Sequence, residues 1–227
     1  MIRFNQVYKR YATGREALSA VSFTIEQGEM AFLTGPSGAG KSSVLKLIAL
    51  IERPTRGQVV IADRNTAGVK RRAIPQFRRG LGVVFQDNKL LHDRSIADNV
   101  ALPLIIAGLA RRDIDKRVRA ALDQVGLLDK DRSRPLELSA GEQQRVGIAR
   151  SIVGKPPLLI ADEPTGNLDP ELALETMQLF KRFNDVGVTV VIATHDLHLV
   201  ERIGARCIGF RDGRLADPAV TAASRPA

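Results

Sequence analysis

The sequence predicts an α/β fold in which a parallel sheet is joined to an N-terminal antiparallel β portion and to an inserted helical subdomain. Two apolar runs rich in β-branched residues, 158–161 and 188–193, are typical of strands buried on both faces of a parallel sheet. Near the N-terminus, apolar and polar residues nearly alternate, as they do in antiparallel strands. Between about residues 88 and 155 the apolar spacing becomes helical. The 227 residues are therefore expected to form one domain.

The individual elements are assigned in chain order from local patterns. Residues 2–7 and 21–25 alternate on either side of a Thr13-Gly14 turn signal, which predicts two antiparallel strands. A strand at 30–34 is followed by glycines and then by helical apolar spacing over 41–51. Further predicted elements are strands at 57–62 and 81–85, a helix that ends at Gly126, a helical run at 144–152, and a disordered tail at 219–227.

The composition is that of a folded globular domain. With 44% hydrophobic and 26% charged residues, close to the average of globular proteins, the composition disfavours a wholly disordered chain, collagen and a long coiled coil. The longest apolar stretch, 100–110, contains Pro103 and Gly108 and is shorter than the roughly 18 residues that span a bilayer. One cysteine, Cys207, allows no internal disulfide, and no signal-peptide core is found, so a reducing cytosol is expected. The net charge of +9 favours acidic partners such as nucleic acid, anionic headgroups or a phosphorylated ligand.

Residues 35–42 fit the phosphate-binding pattern G-x-x-x-x-G-K-[ST] between a predicted strand and a predicted helix, the context that this pattern requires. Glycines let backbone N–H groups surround phosphate oxygens, and the positive end of the following helix points at the same anion. Lys41 adds a positive charge at the β- and γ-phosphates, and the Ser42 hydroxyl is placed to bind Mg²⁺. The predicted nucleotide-binding residues here are Gly35, Pro36, Ser37, Gly38, Ala39, Gly40, Lys41, Ser42 and Ser43.

Two carboxylates, Asp162 and Glu163, follow the predicted buried strand at 158–161. Open α/β sheets bind their ligands at the carboxyl ends of the strands, so this is where a metal and an attacking water are expected. Successive strand residues point to opposite faces, which allows the two acids separate roles. We expect Asp162 to hold Mg²⁺ and Glu163 to orient or deprotonate the attacking water. Without a phosphate loop in the same chain, a turn or helix cap would be the commoner interpretation.

His195 follows the predicted strand at 188–193, again at a carboxyl end. A neutral imidazole there could hydrogen-bond a γ-phosphate oxygen or the attacking water. Taken alone, the same histidine could simply be the neighbour of a helix cap. Together with Lys41 and Glu163 it completes the predicted catalytic set.

The segment Leu138-Ser139-Ala140-Gly141-Glu142 resembles the signature motif of the ABC-transporter ATP-binding family, whose usual text is LSGGQ. Ala140 stands where the family has glycine, and Glu142 where it has glutamine. The resemblance implies that Ser139, Gly141 and Glu142 contact nucleotide, with the hydroxyl and an N–H group at the γ-phosphate. The segment precedes the helical run at 144–152, so it predicts a second anion site at a helix N-terminus. A plain helix cap is the alternative.

Other motifs of this family occur in the expected order along the whole chain. The resemblance implies that Gln86 is the glutamine of the loop that reaches Mg²⁺ and nucleotide, and that Asp169 contacts nucleotide from the segment 167–169. Tyr11 occupies the place of an aromatic residue that stacks on adenine, with Tyr8 as the less suitable rival. The implied fold is a P-loop ABC ATPase core, and the implied ligands are ATP and Mg²⁺.

Within the family, residues 85–95 and 99–104 resemble the ATPase subunits of bacterial cell-division complexes. This implies a peripheral ATPase on the cytoplasmic face of the inner membrane, bound to an integral membrane subunit. ATPases of lipoprotein-release and macrolide-type exporters share the segment 164–169, so such an exporter is the alternative. A cassette acting on nucleic acid, suggested by the charge, is disfavoured because the chain has one phosphate loop. Since Lys41 already supplies an anion site, we expect each signature to serve the partner's ATP in a homodimer.

Four apolar residues after Gln86 are candidates for docking the membrane subunit: Leu90, Leu91, Ile96 and Val100. The family uses this segment to receive a cytoplasmic helix of its membrane partner. Ordinary core packing of most of these side chains is the alternative, and the sequence leaves both interpretations open.

Overall fold

The computed structural model describes residues 1–216 and has the predicted α/β class; the tail predicted at 219–227 lies outside the described residues. The strands are β1 (Ile2–Arg10), β2 (Glu16–Ile25), β3 (Met30–Thr34), β4 (Arg56–Ile61), β5 (Arg64–Asn65), β6 (Leu81–Val84), β7 (Leu158–Asp162), β8 (Thr189–Ala193), β9 (Arg206–Arg211) and β10 (Arg214–Leu215). The helices are α1 (Lys41–Ile48), α2 (Ile74–Arg78), α3 (Ile96–Ile106), α4 (Arg111–Gln124), α5 (Ala140–Ile152), α6 (Pro170–Asp185) and α7 (Leu197–Ile203). Within residues 1–216, no helix combines the length and the apolar character that crossing a bilayer requires.

The N-terminal sheet is antiparallel and has the strand order β2-β1-β4-β5. Ile2 pairs with Ile25 and Phe4 with Phe23 across β1 and β2. These four side chains are buried because alternate residues of each strand face one core. The turn after β1 holds Tyr11 just beyond the strand, where its backbone N–H donates to the carbonyl of Arg15 at 2.9 Å. The predicted antiparallel pair is therefore confirmed.

The second sheet is parallel except at one edge and has the strand order β10-β9-β3-β8-β7-β6. Strands β6, β7, β8, β3 and β9 run parallel, and β10 pairs antiparallel with β9. All residues of β3 and β8 are buried, as the apolar runs in the sequence predict. The chain leaves β3, β6, β7 and β8 at the same edge of the sheet, which brings the loops that follow these four strands together.

Helices α3, α4 and α5 pack on one another and lie in the chain between β6 and β7, two strands that pair directly. Leu104 of α3, Val118 and Leu122 of α4, and Val146 of α5 belong to one buried cluster. These helices run from Ile96 to Ile152. They lie inside the limits of about 88 and 155, which remain a prediction for the boundaries of the subdomain.

The four apolar residues after Gln86 have different environments. Leu90, Ile96 and Val100 are buried in the core, so the docking interpretation is wrong for these three and ordinary packing accounts for them. Leu91 is 42% exposed and remains available to a partner. The apolar character of the segment therefore comes mostly from the packing of α3 against its neighbours.

Asn99 fixes the chain between Gln86 and α3. Asn99 belongs to α3 and is 0% exposed. Its Oδ1 accepts the backbone N–H of Leu91 at 2.8 Å, and its Nδ2 donates to the carbonyls of Leu91 and Ser95, both at 2.9 Å. A buried amide with these partners stabilises the loop only while every bond is kept, because unpaired buried polar groups are costly.

Asn99→Ala is expected to lower the free energy of unfolding by about 1–3 kcal/mol, because it leaves the backbone N–H of Leu91 without its acceptor, while the carbonyls of Leu91 and Ser95 keep only the N–H groups of Arg94 and Asn99. Urea denaturation of the purified chain measures this loss. Asn5→Ala, at an exposed position of β1, is the matched control and should stay within about 0.5 kcal/mol of the unmodified chain. Equal effects of the two changes would contradict the role assigned to Asn99.

Candidate nucleotide-binding site

A cleft of ≈ 550 Å³ opens at the edge of the sheet where β3, β6, β7 and β8 end. Nearly all of the phosphate-binding segment contributes to it, together with side chains from the loops after β1, β6, β7 and β8. The residues that line it are Tyr11, Arg15, Ala17, Pro36, Ser37, Gly38, Ala39, Gly40, Lys41, Ser42, Ser43, Lys46, Gln86, Glu163 and His195. The structure thus brings most of the predicted nucleotide and catalytic residues of one chain into one cleft.

The phosphate loop between β3 and α1 depends on two glycines. Gly35 has a φ of 135°, and a Cβ there would lie 2.2 Å from the carbonyl oxygen of Phe210 in β9. Gly40 has a φ of 113°, and a Cβ there would lie 2.7 Å from the carbonyl oxygen of Ala17. No other residue type fits these positions without displacing the backbone. The glycines therefore set the tight path that aims the N-terminus of α1 into the cleft.

Lys41, the first residue of α1, is only 5% exposed. Its ammonium donates to the carbonyl oxygens of Gly35 at 2.6 Å and Pro36 at 3.2 Å, and lies 3.5 Å from Oε1 of Glu163. A buried ammonium requires such compensation, because desolvation strongly disfavours an unpaired charge. The loop thus wraps around its own lysine, which keeps the positive charge at the floor of the cleft.

Glu163 is the residue that joins the lysine to the histidine. Its φ of 47° is uncommon for a residue with a side chain, and its N–H donates to the carbonyl of Ala193 at 2.9 Å. Its Oε2 lies 2.9 Å from Nδ1 of His195, with the ring placed to donate when Nδ1 carries the proton. Unusual backbone conformations held by neighbouring structure are concentrated at functional sites. The three predicted catalytic residues, Lys41, Glu163 and His195, therefore form one contiguous group.

Ser42 and Asp162 form the candidate metal position. The Ser42 hydroxyl donates to Oδ1 of Asp162 at 3.0 Å. Burial raises the pKa of the Asp162 carboxyl above its usual range, which means that its charge lacks solvation there. Gln86 lines the same cleft as Ser42, whereas Asp162 lies outside its lining and is joined to it through Ser42. A hydroxyl, an amide oxygen and one under-solvated carboxylate suit Mg²⁺, a hard cation that usually takes few protein ligands together with water and substrate phosphates.

In residues 1–216 there is no group of three or more His, Cys, Asp or Glu side chains that would hold a metal by themselves. The donor set at Ser42 and Asp162 therefore fits a metal that arrives with phosphate oxygens, and we retain Mg²⁺ as a prediction.

Tyr11, which the resemblance predicts to stack on adenine, is one of the residues that line the cleft. Its hydroxyl shares a hydrogen bond of 3.1 Å with Oγ of Ser43, and the ammonium of Lys9 lies 4.9 Å from the centre of its ring. Tyr8 pairs with Arg56 inside the antiparallel sheet and is absent from the lining of the cleft. The structure therefore favours Tyr11 over Tyr8 as the base-binding residue.

Sequence reasoning missed three residues of the cleft: Arg15, Ala17 and Lys46. Helical spacing could have predicted Lys46, because residues three and four apart share a helix face. Lys46 lies three residues after Ser43 and four after Ser42. Arg15 donates to the carbonyl of Gly38 at 3.1 Å, a contact between distant loops that local patterns do not reveal.

The signature residues are not brought to this cleft within one chain. Ser139 is the N-cap of α5, and its Oγ accepts the backbone N–H of Glu142 at 3.3 Å. Asp169 caps α6 by accepting the N–H groups of Glu171 at 3.1 Å and Leu172 at 3.0 Å. Ser139, Gly141, Glu142 and Asp169 all lie outside the lining of the cleft. Their contacts with nucleotide therefore stay a prediction that the cleft of one chain does not test.

The fold and the cleft together define an ATPase of the ATP-binding cassette class. The family model described as ABC transporter matches residues 18–166, and the chain belongs to this family. It is an ATPase, as the resemblance of the signature implies. Within the family, the chain is 55% identical over 215 residues to the cell division ATP-binding protein FtsE of Escherichia coli (strain K12), covering 95% of this chain and 97% of that protein.

Further relatives and solved structures agree with this assignment. FtsE of Bacillus subtilis (strain 168) is 48% identical over 213 residues, covering 94% of this chain and 93% of the relative. A dimeric post-hydrolysis structure of the cassette MJ0796 bound to ADP and Pi has a TM-score of 0.88 at 35% identity, covering 96% of this chain and 97% of that one. A second dimeric structure of MJ0796, a bacterial ABC transporter cassette, has a TM-score of 0.88 at 36% identity, covering 96% and 97%. The predicted fold class and family are confirmed, and these relatives do not favour the exporter alternative.

Asp162→Asn is expected to raise the thermal unfolding midpoint of the metal-free chain by a few degrees at neutral pH. A carboxyl whose pKa is raised on folding favours the folded state most when protonated, and that contribution is lost as the pH rises through the folded pKa. The difference in unfolding midpoint between the variant and the unmodified chain should therefore grow as the pH increases from about 4 to 7. Thermal unfolding in EDTA measures it, with the exposed Asp93→Asn as control. A midpoint lowered at neutral pH would contradict this account of Asp162.

Proposed function

We propose that this chain is the ATP-hydrolysing subunit of a bacterial cell-division complex and works with an integral membrane subunit of the FtsX type. The proposal is carried by the contiguous group Lys41, Glu163 and His195 in a phosphate-binding cleft. The FtsE relatives, which match almost the whole length of the chain, support the cell-division assignment. The chain would then lie at the cytoplasmic face of the inner membrane, held there by its partner.

In the proposed mechanism, this chain's residues bind the triphosphate and prepare a water molecule. Lys41 and the N–H groups of the phosphate loop bind the β- and γ-phosphates, and Tyr11 supports the base. Glu163 takes a proton from the water molecule while the water oxygen attacks the γ-phosphorus. The bond between the γ-phosphorus and the oxygen that bridges it to the β-phosphate breaks, and ADP leaves. His195 holds the Glu163 carboxylate at 2.9 Å and so fixes its orientation.

Magnesium is part of the proposal. Ser42, Asp162 and Gln86 are the residues that would hold it. When bound, Mg²⁺ neutralises phosphate charge and stabilises the charge that develops during transfer.

We further propose that two copies of the chain share two nucleotide sites. In one chain the N-terminus of α5, with Ser139 and Gly141, lies outside the cleft that contains Lys41. A twofold dimer would place the signature of each chain against the nucleotide held by the other. The dimeric structures of the MJ0796 cassette support this arrangement.

Glu163→Gln is expected to keep ATP binding and to lower steady-state phosphate release by about 10² to 10⁴-fold, because an amide cannot accept the proton of the attacking water. Nucleotide affinity and phosphate release are measured on the same preparation. Glu26→Gln, at an exposed position beyond β2, is the control and should hydrolyse ATP normally. Turnover near that of the unmodified chain after Glu163→Gln would remove Glu163 from the proposed role.

A groove of ≈ 590 Å³ offers the membrane subunit a larger apolar surface than Leu91, the one exposed residue of the docking segment expected from the sequence. Its apolar lining comes from β6 and the C-terminal part of α3, including Leu81, Val83 and Ile106, and its cationic lining includes Arg79 and Arg117. We propose that an amphipathic cytoplasmic segment of the membrane subunit binds here, with apolar side chains in the groove and acidic ones toward the arginines.

Arg150 ties this groove to the loop after β6. It lines the groove from α5 and donates to the carbonyl of Lys89 at 2.8 Å and to the carbonyl of Asn88. Asn88 and Lys89 have φ values of 53° and 50°, an uncommon pair for residues with side chains. The guanidinium thus holds the loop that carries Gln86 against the far end of α5.

Ile106→Asp is expected to weaken recovery of the membrane subunit by about tenfold or more while ATP binding by the isolated chain stays intact. Ile106 is 68% exposed, so the change should not disturb folding. Val186→Asp, at a 79% exposed position at the end of α6, is the matched control. Co-purification with the FtsX-type subunit of the same organism measures the effect. Equal recovery with both variants would contradict docking in this groove.

A further inference from the structure

Helix α5 carries a carboxylate in its first turn, where the usual motif of the family has a neutral glutamine. Glu142 lies three residues after Ser139, the N-cap of this helix. The proposed function places the γ-phosphate of the partner's ATP at this N-terminus, so an uncompensated Glu142 would oppose the incoming anion. Its side chain is 17% exposed, which limits screening by water.

Both oxygens of Glu142 are engaged within the chain. Oε2 accepts the backbone N–H of Ser139 at 2.9 Å, and Oε1 accepts a hydrogen bond from the ammonium of Lys130. The hydrogen bond from Lys130 is the largest cause that holds the pKa of Glu142 below its usual range, followed by the one from Ser139. Glu142 is therefore ionised at neutral pH, and its contact with Lys130 is an ion pair.

Ser139 keeps one hydrogen-bonding function in this arrangement. Its backbone N–H is bound by Glu142, and its Oγ accepts the N–H of Glu142 at 3.3 Å. A hydroxyl can accept and donate at the same time, so the Ser139 hydrogen is still available to an anion. The capping arrangement thus leaves the serine able to donate to a phosphate oxygen.

The countercharge comes from a separate element. Lys130 ends the short 3₁₀ turn Leu128–Lys130, between α4 and α5. Its backbone is fixed on both sides, because its N–H donates to the carbonyl of Leu127 at 3.2 Å and its carbonyl accepts the N–H of Ser133 at 2.9 Å. The hydrogen-bonded backbone of this turn thus positions the Lys130 ammonium beside Glu142.

We propose that Lys130 is a positioning residue of the shared nucleotide site. It neutralises Glu142 and holds its carboxylate against the N-cap, so that the Ser139 hydroxyl and the N-terminus of α5 meet the partner's γ-phosphate without an opposing charge. This inference rests on the proposed function, which assigns the signature to the partner's ATP. It has a specific consequence: the charge of Lys130 matters only while residue 142 is a carboxylate. Glutamine there would still accept the Ser139 N–H and would need no counter-ion.

The experiment compares Lys130→Met with and without Glu142→Gln. All chains carry Glu163→Gln so that the ATP-bound dimer persists, and dimer formation is followed by light scattering as ATP and Mg²⁺ are added. Lys130→Met should raise the protein concentration for half-dimerisation about tenfold when Glu142 is present. In a chain that already carries Glu142→Gln, Lys130→Met should shift this concentration less than twofold relative to Glu142→Gln alone. ATP affinity of the monomer should not change, because Lys130 lies outside the cleft of its own chain.

Two further variants separate charge from packing. Lys130→Arg keeps a cation and should behave like the unmodified residue, whereas Lys130→Gln keeps a donor without charge and should be impaired like Lys130→Met. Lys181→Met, which removes an exposed pairing with Asp185 on α6, controls for loss of any surface cation. Thermal unfolding of each variant monitors folding, and Lys130→Gln provides the comparison if Lys130→Met does not fold.

The outcomes are separable. If Lys130→Met weakens dimer formation equally with and without Glu142→Gln, the inference is overturned, because Lys130 would then act independently of Glu142. If Lys130→Met does not weaken dimer formation at all, the inference is overturned as well. If the parent chain fails to dimerise with ATP, and the chain with Glu163 intact releases no phosphate, the proposed function itself fails. Tenfold loss with Glu142 and recovery by Glu142→Gln in a chain that dimerises supports the inference.

Discussion

The buried ammonium of Lys41 is the constraint on which the site depends. Removing this charge from water requires matching groups, and the structure supplies them from two loops: the carbonyls of Gly35 and Pro36, and the carboxylate of Glu163. Glu163 in turn contacts His195. Because these groups follow β3, β7 and β8, their placement requires the parallel order of these three strands.

The same constraint explains the unusual backbone around the cleft. Gly35 and Gly40 adopt positive φ so that the loop can close on the lysine, and Glu163 does so although it carries a side chain. The hydrogen bond from the Glu163 N–H to the carbonyl of Ala193 ties this conformation to the neighbouring strand. Strain of this kind persists only where surrounding structure determines it, and the buried strands β7 and β8 provide that support.

Much of this arrangement was predictable from the sequence because its signals are local. The strand, glycine loop and lysine at 30–41 are contiguous, and the acidic pair at the end of β7 and the histidine after β8 follow apolar runs that are typical of buried strands. Helix α6 went unpredicted, although Asp169 as its N-cap and the following Pro170 are both start signals. The pattern at 167–169 indicates a nucleotide-binding motif, and the structure shows that Asp169 is also the N-cap of α6.

Long-range contacts were beyond the sequence. Apolar content at Leu90, Ile96 and Val100 is the same whether a partner or the core covers these residues, and only the fold distinguishes the two. The contacts of Arg15 with Gly38 and of Lys130 with Glu142 join segments whose separation no periodicity encodes. The signature motif itself is local and was recognisable, and its service to a partner's ATP follows from the presence of a second anion site at Lys41 and stays a proposal.

The contact of Arg150 with Asn88 and Lys89 has a mechanical consequence. Helix α5 has 13 residues and is therefore about 20 Å long, with Ser139 at one end and Arg150 near the other. A helix resists compression along its axis because every turn is hydrogen-bonded to the next, so α5 acts as a strut. One continuous helix therefore joins the groove beside Arg150 to the N-cap Ser139, and the loop that carries Gln86 is hydrogen-bonded to the groove end of that helix.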